Sequence, residues 1–305
     1  MGQTTDTDRI LPYRLDTGKC QVPAPRGRIL LHRPVVLLLL WIFVIQGLVV
    51  SGVVRGAEKP NGSIILSDLK QSAHTVTGYF LQPVHWDQWQ WMEAGGVTLG
   101  SFALMTVDKP IRRQVQDWRG GSDSPIFEFG RWAGRGQLTI VLATGCYGIG
   151  FLGGREHLRI TGRLLYEALV TAGTATTILK WVFGRHRPYL NDGPVDFTPP
   201  GWNSPHRSFP SGHSTVGWLT AGVLAKRTDS KVLKIACYTA ASIVSLSRVY
   251  HDRHWTSDVF LGGVIGYTAA DFVVRQEAQH EVDPKQAAAL GIYPLPSGVA
   301  LEYRF

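Results

Sequence analysis

Apolar residues fall in blocks along this chain, and the polar chemistry collects in the seams between them. Val35 to Val54 carries no charge and matches the ~20 residues a helix needs to cross a bilayer. Ala94 to Val107 and Leu138 to Leu152 are apolar, the second with several glycines that permit close helix packing. From Ile160 to Phe183 the positions Ile160, Leu164, Ala168, Ala172, Ala175, Ile178 and Leu179 recur near one helical face. Gly184 and Pro188 then stop that helix. Tyr189 to Arg207 is rich in Pro, Gly and Asn, which predicts a loop of a length usual for functional loops. Ser214–Ala225, Val232–Ser247 and Val259–Val274 predict three further helices.

Asp108 to Gln137 is polar and broken by Gly and Pro, so loops are expected there, and the closing stretch Gly298–Phe305 alternates like a strand. Strand patterns are otherwise nearly absent, and the fold class expected is all-α, a helical bundle. Apart from Gly136–Gly154 and the stretch around Pro210–His213, the later charge-free runs are short. Runs of ~10–14 residues fit buried core helices better than membrane spans. The simplest architecture is thus a bundle tethered by one N-terminal helix.

Charge refines the N-terminal end. Residues 1–34 are polar and hold Arg9, Arg14, Lys19, Arg26, Arg28 and Arg33, and this basic flank places them in the cytoplasm. Val35–Val54 reads as a cleaved signal segment or as an uncleaved anchor. The anchor is favoured, because signal peptides run ~15–30 residues in all and the flank alone exceeds that. The organisation expected is a tail over 1–34, the anchor over 35–54, a linker over 55–70, a catalytic bundle over 71–275 and a tail over 276–305. Trp86, Trp89 and Trp91 cluster after the linker, as an interfacial belt or as core packing.

The chain of 305 residues has a net charge of +8, compatible with phosphorylated substrates or anionic lipid. No basic stripe interleaved with exposed aromatics points to nucleic acid. Cys20, Cys146 and Cys237 are too few and too scattered for a disulfide framework or a metal knot.

Three polar islands interrupt the apolar sequence between Lys180 and Asp258. In KWVFGRHRP, Lys180 and Arg187 stand seven residues apart, roughly the same angular position on a helix, and can clamp the oxygens of a phosphate. The bland alternative is a cationic helix end facing the macrodipole, which suits Arg185 and His186. In SFPSGH, Ser211 and Gly212 open onto an apolar helix whose free amides favour anions; plain capping by Ser211, with His213 a bystander, competes with that reading. In SRVYHDRHWTSD, Asp258 follows His254 by four residues, so its carboxylate can fix the imidazole tautomer and leave the other nitrogen nucleophilic. Asp258 also suits the first turn of the next helix, and His251 is a rival nucleophile.

Together the islands read K-x6-R-P, P-S-G-H and S-R-x5-H-x3-D, and in this they resemble the type-2 phosphatidic acid phosphatase family, which includes class A acid phosphatases and vanadium haloperoxidases. The resemblance covers about the middle quarter of the chain and implies a helical bundle. It implies His254 as nucleophile, Asp258 as its orienting group and His213 as general acid, then base. It further implies Lys180, Arg187, Arg248, Ser211 and the Gly212 amide on the phosphate oxygens, with no metal and no cofactor.

The expected activity is a metal-independent phosphatase acting on a lipid phosphate, a diphosphate or a soluble monoester, outside the cytoplasm and associated with the membrane. Three alternatives belong to other classes: a vanadate-dependent haloperoxidase, a silent lipid-phosphate-binding protein, and a metal hydrolase using His206, His213, His251 and His254. Vanadate-loaded halide oxidation singles out the first and chelator sensitivity the third; the intact His254, His213 and Asp258 argue against the second, since binding alone does not need that set.

Overall fold

The computed structural model describes residues 62–121, 124–282, 290–295 and 298–303. The expected tail and anchor over 1–54 lie outside the described residues. Eight helices follow in chain order: α1 Gly62–Leu81, α2 Gln88–Arg119, α3 Pro125–Ala133, α4 Gly136–Leu152, α5 Glu156–Phe183, α6 Gly212–Lys226, α7 Lys231–Tyr250 and α8 Thr256–Val282. The alternating C-terminal stretch is a strand, β2 Gly298–Tyr303, paired antiparallel with β1 Leu290–Leu295. The helical bundle is as expected, and this hairpin is added to it.

α5, α6 and α8 form the centre. Ile160, Leu164, Leu165, Ala168 and Ala172 of α5 pack with Leu219 and Val223 of α6 and with Ile265, Ala269, Ala270 and Val273 of α8. Most of the predicted α5 face is core, but Ile178 at its end is 51% exposed. Two α8 glycines set the approach of α8 to α6. A Cβ on Gly262 would lie 2.4 Å from the Ser211 carbonyl oxygen, and one on Gly266 would lie 2.3 Å from that of Thr215. α8 therefore lies directly on the backbone of α6, and the Ser211 amide donates to the Asp258 carbonyl at 2.8 Å.

Several expectations fail for identifiable reasons. The loops expected over Asp108–Gln137 are mostly helix, since α2 runs through Pro110 to Arg119 and α3 opens with Pro125 at its start. Proline removes one backbone hydrogen bond, but α2 is held by a polar face at four-residue spacing. Asp108 meets Arg185, Arg112 meets Asp252, and Gln116 donates to the carbonyls of Val249 and Tyr250. α2 begins behind a capping box in which Gln90 N donates to Asp87 at 2.9 Å and Asp87 N to Gln90 at 3.0 Å. α1 starts at Gly62, inside the stretch expected as a linker.

The later helices are also not all core helices. Lys231–Tyr250 and Thr256–His280 are long and apolar enough to cross a membrane by length and composition, and only 33% of the first is buried. Val232, Leu233, Ile235 and Leu246 of α7 point outward, as do Val170, Trp181 and Val182 of α5. Trp89 and Trp91 are exposed too, so core packing does not explain the tryptophan cluster.

Since Gly266 admits no side chain without moving the Thr215 carbonyl, Gly266→Ala should destabilise the protein by about 1–3 kcal/mol. Gly148→Ala in α4, where a Cβ meets nothing within 4 Å, should be neutral or stabilising by up to about 1 kcal/mol. Denaturant midpoints of the two variants check this, and equal losses would remove the close approach from the account.

Candidate active site

The first island is split by the end of α5. Gly184 adopts φ 59° as the C-cap, and a Cβ there would lie 2.2 Å from the Thr198 carbonyl oxygen. Arg187 is therefore not on the helix with Lys180, contrary to the angular argument. The loop carries it back instead, and its Nε donates to Ser204 O at 3.0 Å. Lys180, Arg187, Arg207 and Gly212 line one cavity of about 590 Å³, along with Thr176, Thr215, Trp202 and Ser204. The Lys180 ammonium donates to Arg207 O at 2.8 Å and to Pro210 O, which pins it beneath the Ser208–His213 turn. Burial first, then the charge of Arg187, pushes Lys180 down to about 7, against the pull of Asp258.

Arg185, which the macrodipole argument accounted for, is the hub of the site. Its side chain is fully buried, with Phe197, Phe209 and Trp255 rings 5.6–5.7 Å from the guanidinium. One nitrogen donates to Asp258 at 2.6 Å and to Ser257 Oγ at 2.7 Å; the other donates to Asp108 at 2.8 Å and to Pro194 O. Its backbone carbonyl accepts from Ser208 N at 3.0 Å, tying the first island to the second.

His254 precedes α8 rather than lying on it, so the four-residue helical spacing to Asp258 applies only loosely. Its Nδ1 is 2.9 Å from Ser208 O and 3.5 Å from Asp258 Oδ2. The backbone carbonyl is thus the nearer tautomer-setting partner. With Nδ1 carrying the proton toward Ser208 O, the Nε2 lone pair is left for chemistry. Asp258 is held by Arg185, by the Ser208 hydroxyl at 2.5 Å and by Trp255 N at 2.8 Å. Asp258 thus accepts from the backbone at the start of α8 and also lies 3.5 Å from His254 Nδ1. Burial, followed by the charges of Lys180, Arg187 and Arg248, drives His254 well below the ordinary imidazole range.

Arg248 ends α7 almost fully buried, and its Nε and Nη1 have no hydrogen-bond partner. An unpartnered guanidinium inside a protein is costly, and an anion is what offsets it. His213 sits in the first turn of α6 with Gly134 behind it, where a Cβ would come within 3.1 Å of the ring. Burial, then Arg248, Arg187 and Lys180, push His213 down to about 3.

Ser211 is fully buried and accepts from Ser214 N at 3.4 Å and Ser214 Oγ at 3.1 Å, so its oxygen serves the helix cap. Gly212 meets only the Lys180 stem, 3.7 Å from where a Cβ would be, and lines the cavity. His251 turns toward α3, 3.3 Å from Glu128 and 3.4 Å from Phe127 O. His206 stacks on His186 at 4.2 Å. Among the described residues no three His, Cys, Asp or Glu side chains converge as metal ligands.

Sequence reasoning missed Asp108, Arg185, Ser208 and Arg207. The available signal was an acidic residue closing an otherwise apolar run, Ala94–Val107, and a third cation between Lys180 and Arg187.

Comparison with known proteins agrees with this geometry. Residues 162–281 match the model of the PAP2 superfamily. The chain is 31% identical over 140 residues to a lipid A 1-phosphatase of Porphyromonas gingivalis, covering 42% of this chain and 27% of that one. It is 36% identical over 108 residues to a lipid A 1-phosphatase of Rhizobium etli, covering 34% and 45%. Lipid phosphate phosphatase 2 of Arabidopsis thaliana is 29% identical over 161 residues, covering 42% and 53%. The chain thus spans about half or less of the length of the curated relatives it matches. The crystal structure of Aquifex aeolicus LpxE aligns with 55% of this chain and 95% of its own at 20% identity, with a TM-score of 0.43. The segment that matches the PAP2 superfamily, residues 162–281, carries all three islands by which the sequence resembles the type-2 phosphatidic acid phosphatases.

Proposed function

We infer that this site hydrolyses the phosphate monoester of a membrane lipid through a phosphohistidine on His254. The observation that carries the reading is the buried Arg248 guanidinium with two unpartnered nitrogens, set among Lys180, Arg187 and two histidines whose pKa values burial, and then these cations, lower. Such an arrangement suits a tetrahedral dianion. Lys180, Arg187, Arg248 and the Gly212 amide take the equatorial oxygens, where transition-state charge must be held.

His254 Nε2 forms the bond to phosphorus as the bond to the alcohol oxygen breaks, and that oxygen leaves with a proton from His213. In the second step His213 takes a proton from water, whose oxygen attacks phosphorus and frees His254. With its pKa near 3 in the empty site, His213 holds no extra proton at neutral pH. Burial is the first cause of that lowering and the cations the second; a bound phosphate dianion offsets the cationic part and so shifts His213 toward the protonated form a general acid needs. The lipid reading is supported by relatives named lipid A 1-phosphatase and lipid phosphate phosphatase. It is supported further by outward apolar side chains on α5 and α7, with Trp202 exposed at the cavity. The basic flank of Val35–Val54 favours a site outside the cytoplasm.

Leaving groups separate the two histidines. His254→Ala should abolish turnover of every substrate. His213→Ala should lose ~10²–10⁴-fold on alkyl phosphates and far less on p-nitrophenyl phosphate, whose leaving group needs little protonation. Rapid mixing with labelled substrate and an alkaline denaturing quench should place the label on His254. Label on His251, or equal losses on both substrates, would reassign the roles.

Stability should follow pH in a set direction. Folded His213 and His254 have lowered pKa values, so below the unfolded value of about 6.5 the unfolded chain binds more protons. Stability is then lost as pH falls from about 6.5 toward the His213 value near 3. Inorganic phosphate, by raising both folded values, should reduce the loss in melting temperature between pH 7 and pH 5. An unchanged loss in Arg248→Gln with phosphate, beside a reduced one in the wild type, would locate the anion; no phosphate effect in the wild type would count against the anion site.

A further inference from the structure

Asp108 belongs to none of the three islands and lies outside the matched segment 162–281, yet its carboxylate is as buried as that of Asp258. It accepts from Ser257 N at 2.9 Å, from Ser257 Oγ, and from Arg185 at 2.8 Å. Arg185 is thereby forked between two carboxylates, Asp108 and Asp258, in a pocket walled by three aromatic rings. Two carboxylates against one guanidinium leave a net negative charge behind His254. If Asp108 were neutral, Arg185 would be balanced by Asp258 alone, and nothing behind the imidazole would favour the positive charge it gains on phosphorylation.

The same helix holds both flanks of the nucleophile's turn. Arg112 binds Asp252 at 2.6 and 2.7 Å and Gln116 binds the carbonyls of Val249 and Tyr250 at 3.2 Å before His254, while Asp108 holds Ser257 after it.

We propose that Asp108, on α2, is a positioning residue for the phosphoryl-transfer step, splitting the Arg185 fork so that the charge of Asp258 serves His254. The proposal rests on the phosphohistidine reading above. Asp108 touches neither the phosphate cations nor the reacting atoms, so its effect belongs on the rate of transfer and not on anion affinity.

The test compares Asp108→Asn, Asp108→Glu and Arg159→Gln in the full chain. Phosphoenzyme formation is followed by rapid quench with labelled substrate, vanadate affinity by inhibition, and folding by thermal melts. Asp108→Asn keeps the shape and removes the charge. It should slow phosphoenzyme formation on the order of 10–100-fold while vanadate affinity stays within about threefold. Asp108→Glu should recover a substantial part of the rate. Arg159→Gln, which breaks the ion pair with Asp68 between α5 and α1 and touches no residue of the site, should lower the melting temperature with a much smaller change in rate. Wild-type rates in Asp108→Asn would overturn the proposal while leaving the phosphohistidine intact. So would rate losses that merely track the melting temperature across all three variants. Absence of label on His254 in the wild type would overturn the underlying reading and the proposal together.

Discussion

A single buried cation, Arg185, holds the catalytic end of the bundle together. Its side chain is excluded from solvent and joins α2 through Asp108, α8 through Ser257 and Asp258, and the long loop through Pro194, while its backbone carries Ser208. A guanidinium removed from water is tolerated only when its donors are matched, and breaking one partner of a buried pair typically costs ~3–5 kcal/mol. Here the partners come from elements up to 77 residues apart in the chain. The loop, the Ser208–His213 turn and the start of α8 are therefore not independent pieces. Gly262 and Gly266 complete the arrangement by setting α8 on the backbone of α6, so that the Ser211 amide reaches the Asp258 carbonyl.

Arg248 is treated oppositely. It is almost as deeply buried, but two of its nitrogens lack partners, and the Lys180 ammonium donates to neutral carbonyl oxygens. The protein thus separates its buried positive charge into two sets. One is neutralised internally and fixes geometry; the other is left for a ligand and makes the empty site electrostatically unfavourable. Burial first, and this second set of cations after it, lower the pKa values of His213 and His254. The contrast between Arg185 and Arg248 follows from which of them has counter-charges, not from any difference between the side chains themselves.

Much of this was legible in the sequence. The core helices showed in the periodicity from Ile160 onward, and the three islands showed as polar breaks at fixed spacing. What escaped the reading depends on contacts that no local pattern encodes. α2 was hidden because its face at Asp108, Arg112 and Gln116 is polar, and it is polar because it docks on the ends of α7 and α8 instead of on an apolar core. Arg187 was placed on a helix that Gly184 has already ended. The Asp258–His254 contact was expected to be direct, but the Ser208 carbonyl takes the nearer position, and its arrival depends on Arg185. Arg185 itself looked like a helix-end cation because its partners are distant in sequence.

The same cause explains why the apolar helices were read as too short to span a membrane. Their charge-free runs were counted between Lys234 and Arg248 in α7, and between Asp258 and Asp271 in α8. Yet Arg248 and Asp258 turn inward to the site, and Asp271 is paired with Lys226 at 2.6 Å. A charge that faces a reaction centre does not shorten the surface a helix offers to lipid. The outward positions of α7, Val232, Leu233, Ile235 and Leu246, remain apolar up to the level of the site. Run length measures composition along the chain, whereas each helix turns only one face outward. Charges that face inward or are paired, as Arg248, Asp258 and Asp271 are, interrupt the apolar run of a helix whose outer face stays apolar.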